Sequence, residues 1–459
     1  MVKLGNIEKV YCIGIGGIGM SALARYFQSK DIEVSGYDKT PTPLTKSLEE
    51  SGILIHYEED TRALPLDVQL VIYTPAIPAD HQELQYYQKN GFNVLKRSEV
   101  LALISDGTFN ICVAGTHGKT TISTMVAHIL RHSGYGCNAF LGGIATNYNT
   151  NFWSNERNVC VIEADEYDRS FLRLHPNIAI ISAMDADHLD IYGTEEAFQQ
   201  AFIDFTQNLK PGGLLVCKYG LKRRRKLLAE RIITYSLQND FADVYAVNMQ
   251  MKDGSYIFDV MMKDNRVGNV VLNMGGLHNV ENAVAAIAVA HELGIDSDLI
   301  KDAVEAFSGV KRRFEYIIKS ERIIFVDDYA HHPEELKALL GGAKTLFNGR
   351  KLTIIFQPHL FSRTKDMAHE FAESLDLADE VILLPIYPAR EQPIEGVSSR
   401  MILAEMQNNH KKVLNRDECL KYIEERFIPG MSGEFGEVLI TAGAGDIDSL
   451  VPVIKKMFE

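Results

Sequence analysis

The sequence predicts an α/β fold with parallel sheets, divided among three domains. Short apolar runs alternate with helical patterns along the whole chain, as expected for strand–helix–strand units. A length of 459 residues fits roughly two to four domains, and we expect three. Two glycine-rich loops, each following an apolar strand and opening a helix, begin the first and the second unit.

Composition narrows the functional classes before any motif is considered. A formal net charge of −14 argues against nucleic-acid binding, which depends on Lys and Arg neutralising phosphates. One basic run, Lys222–Lys226, is expected to be a solvated helix face between two strands. The six cysteines form no CxxC pair, and several lie in apolar runs, which indicates reduced, buried thiols. No signal segment opens the chain and no apolar run approaches about 20 residues, so we expect a cytoplasmic protein without membrane insertion.

The first unit, residues 1–106, alternates strands with a helix. Its predicted elements are strand Val10–Ile15, helix Met20–Lys30, and strands Glu33–Tyr37 and Gln69–Tyr73, after which Lys96–Ile104 leads out of the unit.

The loop of the first unit, Gly14-Ile-Gly16-Gly17-Ile-Gly19, matches the pattern GxGxxG, and Asp38 follows about 20 residues later at a strand end. In such loops backbone amides approach a diphosphate at a helix N-terminus, and the acid binds a ribose hydroxyl. Gly16, Gly17, Gly19 and Asp38 are therefore candidate ligand residues of a Rossmann-like domain. The pattern recognises a diphosphate, not a nicotinamide. An NAD-dependent oxidoreductase, a UDP-sugar enzyme and a purely structural turn all remain open at this point.

The second unit, residues 107–310, is predicted to be a P-loop ATPase-like domain with a parallel sheet. Its elements are strand Asn110–Ala114, helix Lys119–His132, strands Val159–Glu163 and Ile178–Ala183, and helix Asn279–Leu293. The second loop reads Gly115-Thr116-His117-Gly118-Lys119-Thr120-Thr121. Its amides would surround phosphate oxygens, Lys119 would reach the β and γ phosphates, and the Thr120 hydroxyl could bind Mg²⁺. The loop departs from GxxxxGK[ST], because Val113 stands where the first glycine would be.

Two acidic segments follow apolar strands of the second unit. Glu163 ends one strand and is followed by Asp165, Glu166 and Asp168, and carboxylates at this position beside a phosphate loop hold Mg²⁺. The second segment, Asp185-Ala-Asp187-His188-Leu-Asp190, makes His188 a candidate for a second metal ion or for the reacting phosphate. Two phosphate loops on two domains favour a ligase that joins a nucleotide-linked substrate at the expense of ATP.

The third unit, residues 311–459, is predicted to be a Rossmann-like α/β domain. Its expected strands are Ile323–Val326, Leu352–Phe356, Glu380–Leu384 and Glu437–Thr441.

Motifs in all three units together resemble those of the Mur ligases. GIGGIGMSALA, AGTHGKTT, EADEYDRSFL, DHLDIYG, GLHNVENAVAAIAVA, RRFE, DDYAHHPEE and FQPHLFSRTKD occur in the family's order. The resemblance implies that the lactyl carboxylate of UDP-N-acetylmuramate attacks the γ phosphate of ATP. An amino acid's amine then attacks the acyl phosphate, and ADP and phosphate leave. It implies Mg²⁺ as cofactor, with Mn²⁺ as an alternative ion. It also implies a place in peptidoglycan synthesis, and so in cell wall biogenesis, cell shape and cell division.

The resemblance also assigns roles to individual residues. Lys119 would bind the β and γ phosphates as a catalytic residue, and Thr120, Glu163 and His188 would hold metal, His188 also being catalytic. The ATP site would include the loop Gly115–Thr121 together with His278, Asn279, Asn282, Arg313 and Asp328. The UDP part would contact Gly16, Gly17, Gly19 and Asp38. The third domain would bind the amino acid through Tyr329, His331 and Arg363, the last also catalytic.

Departures from the family pattern refine the expectation. Leu360 stands where some members carry arginine, which leaves the details of the amino-acid pocket open. No lysine lies between Asp190 and Lys210, where siblings that add later amino acids carry one. This favours the alanine-adding member, with L-alanine as substrate. A murein peptide recycling ligase is the nearest alternative, and a non-catalytic nucleotide-binding module is a third. We expect a monomer or a weak homodimer.

Overall fold

The computed structural model describes residues 4–62, 64–252, 254–263, 265–389, 391–431 and 436–459, and for Asp190 the backbone alone. The chain is mixed α/β, with three sheets of five, ten and six strands. Each sheet lies within one of the three predicted domain ranges, while the domain boundaries themselves remain a prediction. In the described part of the chain, no helix has the length and apolar character needed to cross a bilayer.

The N-terminal sheet is fully parallel, in the order β3-β2-β1-β4-β5. Its strands β1–β5 are Lys9–Ile13, Glu33–Tyr37, Leu54–His56, Leu70–Tyr73 and Val94–Lys96. Helices α1–α4 are Ile18–Gln28, Pro43–Glu50, Gln82–Lys89 and Arg97–Asp106. The first strand ends two residues before its predicted end, because Gly14 adopts φ +82° and turns the chain into the glycine loop.

The central sheet has the order β15-β14-β13-β12-β11-β10-β6-β9-β7-β8. Its strands β6–β15 are Phe109–Ala114, Asn138–Ala145, Thr150–Trp153, Val159–Glu163, Ile178–Ile181, Leu214–Lys218, Arg231–Ser236, Val244–Lys252, Ser255–Met262 and Asn265–Leu272. Helices α5–α9 are Lys119–His132, Leu189–Tyr192, Glu195–Gln207, Leu277–Glu292 and Ser297–Ala306. The strands next to β6 run parallel to it, which brings their carboxyl ends, the phosphate loop and the acidic segments to one edge.

The prediction for Lys222–Lys226 was wrong in its local structure. This basic run forms a turn and a single 3₁₀ turn over Arg224–Lys226 between β11 and β12, not a helix face. Lys222 pairs with Glu195 on α7 at 2.8 Å, and this contact fixes the run on the protein surface.

The C-terminal sheet has the order β16-β17-β21-β18-β19-β20 and is parallel except for β16. Its strands β16–β21 are Glu315–Lys319, Ile323–Asp328, Lys351–Phe356, Glu380–Leu383, Lys411–Val413 and Glu437–Ala442. Helices α10–α16 are Pro333–Leu346, Phe361–Asp366, Ala368–Leu375, Ser399–Glu405, Arg416–Tyr422, Ile428–Gly430 and Val451–Phe458.

The chain forms two compact units. One contains Met1–Asn248, Phe258–Val270 and Glu281–Phe307, and the other contains Met249–Ile257, Val271–Val280 and Ser308–Glu459. The first of these two compact units holds both the N-terminal sheet and most of the central sheet. One apolar core runs through both sheets.

An aromatic seam joins the N-terminal and central sheets within the first compact unit. The ring of Tyr26 on α1 lies 5.4 Å from that of Phe140 on β7 and 6.1 Å from that of Phe152 on β8. Beside them the buried Asn151 amide donates to the Ile18 carbonyl and, at 3.1 Å, to the Ser21 hydroxyl. Both glycine loops are therefore carried by one packed body.

Candidate functional site

The first glycine loop is held mainly by hydrogen bonds to the end of β2 and the residue that follows it. The amides of Gly14 and Ile15 both donate to the Tyr37 carbonyl, at 2.8 and 3.0 Å. The Gly17 amide donates to the Gly14 carbonyl at 3.2 Å, and the Gly16 amide donates to Asp38 Oδ2 at 2.7 Å. Asp38 therefore braces the loop in this conformation, and its expected contact with a ribose stays a prediction.

The second loop lies between β6 and α5, as predicted, and α5 has the predicted bounds. Gly118 has φ +81°, and a Cβ there would lie 2.7 Å from the Asn282 side chain. Gly115 has φ +133° and packs against Ser182, whose hydroxyl donates to the His117 carbonyl. Backbone strain at both positions and close packing therefore account for glycine in a loop that must wrap an anion.

Lys119 lies at the start of α5, where it makes two contacts. Its Nζ donates to the Gly115 carbonyl at 2.9 Å and to Glu166 Oε1 at 2.7 Å. The Glu166 side chain is 1% exposed, and burial raises the pKa of its carboxyl while Lys119 opposes this rise. Among the described residues, Glu166 Oε2 has no hydrogen-bond partner. Sequence reasoning placed Glu166 in an acidic cluster but did not identify it as the partner of Lys119.

Thr120 and Glu163 are in direct contact at the end of β9. The Thr120 hydroxyl donates to Glu163 Oε1 at 3.0 Å, and the Gly142 amide on β7 donates to Oε2 at 2.9 Å. The Ser123 hydroxyl lies 3.4 Å from Oε2, and burial raises the pKa of Glu163. A hydroxyl and a carboxylate beside a phosphate loop are oxygen ligands that suit Mg²⁺. Ser123 and Gly142 were missed, because they come from a helix interior and a glycine-containing strand.

His188 lies just before α6, with a left-handed backbone at φ +50°. Its imidazole is 3.6 Å from the Asp187 carboxylate, and the Tyr167 ring packs edge-on against it at 5.0 Å. The described residues contain no group of three or more His, Cys, Asp or Glu arranged to hold a metal ion. Metal binding by His188 thus stays a prediction, and the side chain of Asp190 lies outside the described residues.

The HNxxN segment begins helix α8, as predicted. Asn279 and Asn282 are both buried on this helix, one turn apart. The Asn279 amide donates to the Gly275 carbonyl at 2.7 Å, and the Asn282 side chain packs against Gly118 of the phosphate loop. The His278 ring packs on Gly276. Asn282 is thus next to the phosphate loop, whereas the expected contacts with adenine remain untested.

Two adjacent arginines in the third domain have different surroundings. Arg312 pairs with the buried Asp327 at 3.3 Å and donates to the Gly443 carbonyl. Burial raises the pKa of Asp327 to about 7, against the opposing charge of Arg312. Both guanidinium groups lie near the Tyr329 ring, that of Arg312 at 5.1 Å and that of Arg313 at 5.5 Å from its centre. The ion pair with Asp327 makes Arg312 a structural residue, whereas the expected role of Arg313 at the nucleotide stays a prediction.

Asp328 holds two loops together at the end of β17. Its Oδ2 accepts from the Phe314 amide and its Oδ1 from the Ala330 amide, both at 2.7 Å. Burial raises the pKa of this carboxyl, and Arg313 opposes the rise. The expected ribose contact of Asp328 stays a prediction.

The predicted amino-acid residues Tyr329, His331 and Arg363 lie close together. The rings of Tyr329 and His331 are 5.3 Å apart, and Arg363 Nη1 is 3.5 Å from the His331 carbonyl. His331 also lies 5.9 Å from His359, whose ring stacks on Tyr387.

His359 was not identified from the sequence, although it is part of the FQPHLFSR motif. Burial lowers its pKa, and among the described residues its Nδ1 has no hydrogen-bond partner. The next residue, Leu360, has φ +72°, an unusual conformation for a bulky side chain. His359 thus joins Tyr329, His331 and Arg363 in one polar cluster, and the expected binding of an amino acid there stays a prediction.

Comparisons with known proteins show similarity in sequence and in overall fold. Family models match three consecutive segments: Mur ligase family, catalytic domain, over residues 9–108; Mur ligase middle domain over 113–290; and Mur ligase, glutamate ligase domain, over 312–445. A UDP-N-acetylmuramate–L-alanine ligase of Cytophaga hutchinsonii is 46% identical over 467 residues, covering 100% of this chain and 98% of the relative. A solved UDP-N-acetylmuramate-alanine ligase of Thermotoga maritima is 29% identical with a TM-score of 0.83, covering 99% of both chains. A solved murein peptide ligase of Psychrobacter arcticus is 25% identical with a TM-score of 0.66, covering 98% of both chains.

Proposed function

Because the chain belongs to the Mur ligase family, we propose that it joins L-alanine to the lactyl carboxylate of UDP-N-acetylmuramate with hydrolysis of ATP. The observation that carries this proposal is the pair of glycine loops in one compact unit, the second loop presenting Lys119 beside Thr120 and Glu163. A single loop would serve a dehydrogenase, whereas a ligase with a nucleotide-linked acceptor uses two. Full-length relatives that bear this activity's name support the choice of substrates.

The reaction would proceed in two steps. An oxygen of the lactyl carboxylate bonds to the γ phosphorus, and the bond from that phosphorus to the ADP oxygen breaks. The alanine nitrogen then attacks the carbonyl carbon of the acyl phosphate. Phosphate leaves with the electrons of the C–O bond, and the amine gives up a proton. This reaction completes an early step of peptidoglycan precursor synthesis, which we expect to occur in the cytoplasm.

The residues of the second loop would stabilise charge on the transferred phosphate. Lys119 brings an ammonium group to the loop, and amides at the start of α5 face the same place. Thr120 and Glu163 would hold Mg²⁺, which when bound neutralises phosphate oxygens. The family resemblance also assigns Arg313 and Asp328 to the nucleotide, and His188 is proposed to hold a second ion.

The amino acid would bind in the cluster of Tyr329, His331 and Arg363. Arg363 would pair with its carboxylate, because a guanidinium fork matches a carboxylate in geometry. Burial lowers the pKa of His331, which favours the neutral imidazole near neutral pH. The Arg363 guanidinium and the neutral His331 imidazole would both suit a small amino acid. Leu360, which stands where some members carry arginine, adds no charged contact.

The deciding experiment measures phosphate release from ATP with UDP-N-acetylmuramate and a panel of L-alanine, glycine, L-serine and an alanine-first cell wall peptide. We expect release only when both UDP-N-acetylmuramate and an amino acid are present, and fastest with alanine. Lys119→Ala should abolish it, because the transferred phosphate loses its cation. Preference for the peptide would indicate the recycling ligase. Phosphate release at the same rate without UDP-N-acetylmuramate would refute the proposal, as would hydride transfer to NAD.

A further inference from the structure

Arg97 is the first residue of α4, and its guanidinium lies directly over the first glycine loop. A Cβ added at Gly19 would lie 2.6 Å from Arg97 Nη1 and 3.0 Å from Arg97 Cδ and Cζ. Gly19 is thus kept free of a side chain by the approach of an arginine. The third glycine of GxGxxG usually allows close packing of helix on strand, so this contact gives it a different use here.

Arg97 has two acidic neighbours in one crevice, Glu163 and Asp165, but its guanidinium forms a salt bridge with neither. Within the described residues, its guanidinium has no ion pair and no hydrogen bond. The nearest acid along the chain, Glu99, is already engaged, because its Oε2 accepts from the Lys96 amide at 2.8 Å and its Oε1 pairs with Arg173 at 3.3 Å. A half-buried arginine without a counterion points to an anionic ligand, since burying part of a charge without a partner is costly.

The surroundings of Arg97 indicate the direction from which an anionic ligand would reach its guanidinium. Arg97, Glu163, Asp165 and Ser170 line one narrow crevice of about 10 Å³, so the guanidinium stands between the first loop and the end of β9. Neither acid pairs with Arg97: both Glu163 oxygens have partners within its own domain, and Asp165 Oδ1 accepts from the Tyr167 amide at 3.1 Å. The open direction for Arg97 is therefore along the first loop.

The first loop itself offers few amides to a diphosphate. Those of residues 14–17 donate within the protein, to Tyr37, Asp38 or Gly14. The amides that remain for a ligand belong to the first turn of α1, which contains Gly19. A diphosphate there would bring two negative charges, and helix amides alone supply only a fraction of one positive charge.

We propose that Arg97 binds the diphosphate of the nucleotide-linked acceptor, as a recognition residue beside the first turn of α1. The proposal rests on the proposed function for the identity of the acceptor. A guanidinium fits it well, because its planar fork donates two parallel hydrogen bonds to phosphate oxygens. UDP, which shares the diphosphate and lacks the sugar and lactyl groups, is the probe that isolates this contact.

The test is calorimetric titration of the full chain with UDP, with UDP-N-acetylmuramate and with a non-hydrolysable ATP analogue. For Arg97→Met we expect UDP and UDP-N-acetylmuramate to bind about ten- to a hundredfold more weakly, with the ATP analogue within about twofold of the wild type. Arg97→Lys should recover part of the loss. Arg173→Met is the matched control, because it removes the same charge from the residue that pairs with Glu99, and it should change none of the three affinities.

Gly19→Ala provides a second route, because its new methyl group would displace the guanidinium without removing it. We expect Gly19→Ala and Arg97→Met both to bind UDP more weakly and to bind the ATP analogue with unchanged affinity. The unfolding temperature of Arg97→Met should equal that of the wild type. UDP affinity within twofold of the wild type in Arg97→Met would overturn the proposal, as would an equal loss for UDP and the ATP analogue. Loss of UDP-N-acetylmuramate binding alone would place Arg97 on the lactyl side and also overturn it. Failure of the proposed function would look different: the wild type would bind UDP but release no phosphate with UDP-N-acetylmuramate and alanine.

Discussion

His128 on the phosphate-loop helix α5 should make the protein less stable in mild acid. Its ring is 1% exposed and packs against Tyr148 and Phe307. Nε2 lies 2.9 Å from the Ala303 carbonyl on α9, and Nδ1 lies 2.9 Å from the Tyr148 hydroxyl. A carbonyl only accepts, so Nε2 donates, and Nδ1 can then accept from Tyr148. The neutral imidazole is thus fully bonded.

Burial lowers the pKa of His128 from 6.5 to about 4, while the Ala303 carbonyl opposes this shift and the nearby His132 and Arg131 add to it. Between these two values the unfolded chain binds a proton that the folded chain does not. The free energy of unfolding therefore rises with pH across this window. The stability from the neutral ring is complete above pH 6.5 and is lost as the pH falls toward 4. The loss amounts to about 2 kcal/mol by pH 5 and about 3 kcal/mol by pH 4.

The assay is denaturant unfolding at several pH values between 4 and 8, followed by the fluorescence of Trp153. This is the chain's one tryptophan, and its ring lies 4.9 Å from that of Tyr148 in the same cluster. His128→Gln should be less stable than the wild type at pH 7.5, and the difference should shrink by about 2 kcal/mol at pH 5. His410→Gln, at an exposed position far along the chain, is the control, because His132 itself contributes to the pKa shift of His128. A difference that stays constant with pH would refute the reasoning.

Four further predictions concern the candidate site and the residues around it. Glu166→Gln should lower the KM for ATP, because the loop loses a negative charge, and should lower kcat, because Lys119 loses its orienting partner; an unchanged kcat or a raised KM would contradict this. Glu163→Ala should raise the Mg²⁺ concentration for half-maximal phosphate release by at least about tenfold, and an unaltered Mg²⁺ titration would remove Glu163 from the metal site. Arg312→Met should destabilise the protein by about 1–3 kcal/mol, because the buried Asp327 loses its counterion and keeps only the hydrogen bond from Thr441, and thermal unfolding measures this. Arg313→Met should lower turnover with an unchanged unfolding temperature, and the reverse pattern would exchange the roles of the two arginines.

Much of the fold could be predicted because strands and helices carried strong local signals. Helix α5 begins at the lysine that the loop presents and ends before Gly134, which has φ +76°, so both ends are determined by nearby residues. Strand β7 was missed, because Gly142 and Gly143 weaken a strand pattern. Strand β14 was missed although Tyr256, Phe258 and Val260 alternate with more polar or exposed positions, which is a usable signal for a strand.

The candidate site was predicted less completely than the fold. Motifs identified Lys119, Thr120 and Glu163, because the chemistry of a phosphate loop restricts these residue types. Nothing in the sequence shows that Lys119 pairs with Glu166, since this pair depends on how the segment after β9 folds back over 47 residues of chain. Arg97 could not be predicted from the sequence either, because its proposed role depends on its contact with Gly19, which is distant in sequence.

The seam of Tyr26, Phe140 and Phe152, with Asn151 beside it, has an entropic consequence. Since the two glycine loops belong to one packed body, their separation is set once, when the chain folds. Bringing the acceptor and ATP together from solution costs translational entropy. A rigid protein body that binds both holds them at a high effective concentration relative to each other. Loosening the frame at Asn151 should therefore slow the meeting of acceptor and ATP, seen as a lower kcat, while each still binds its own loop with unchanged affinity.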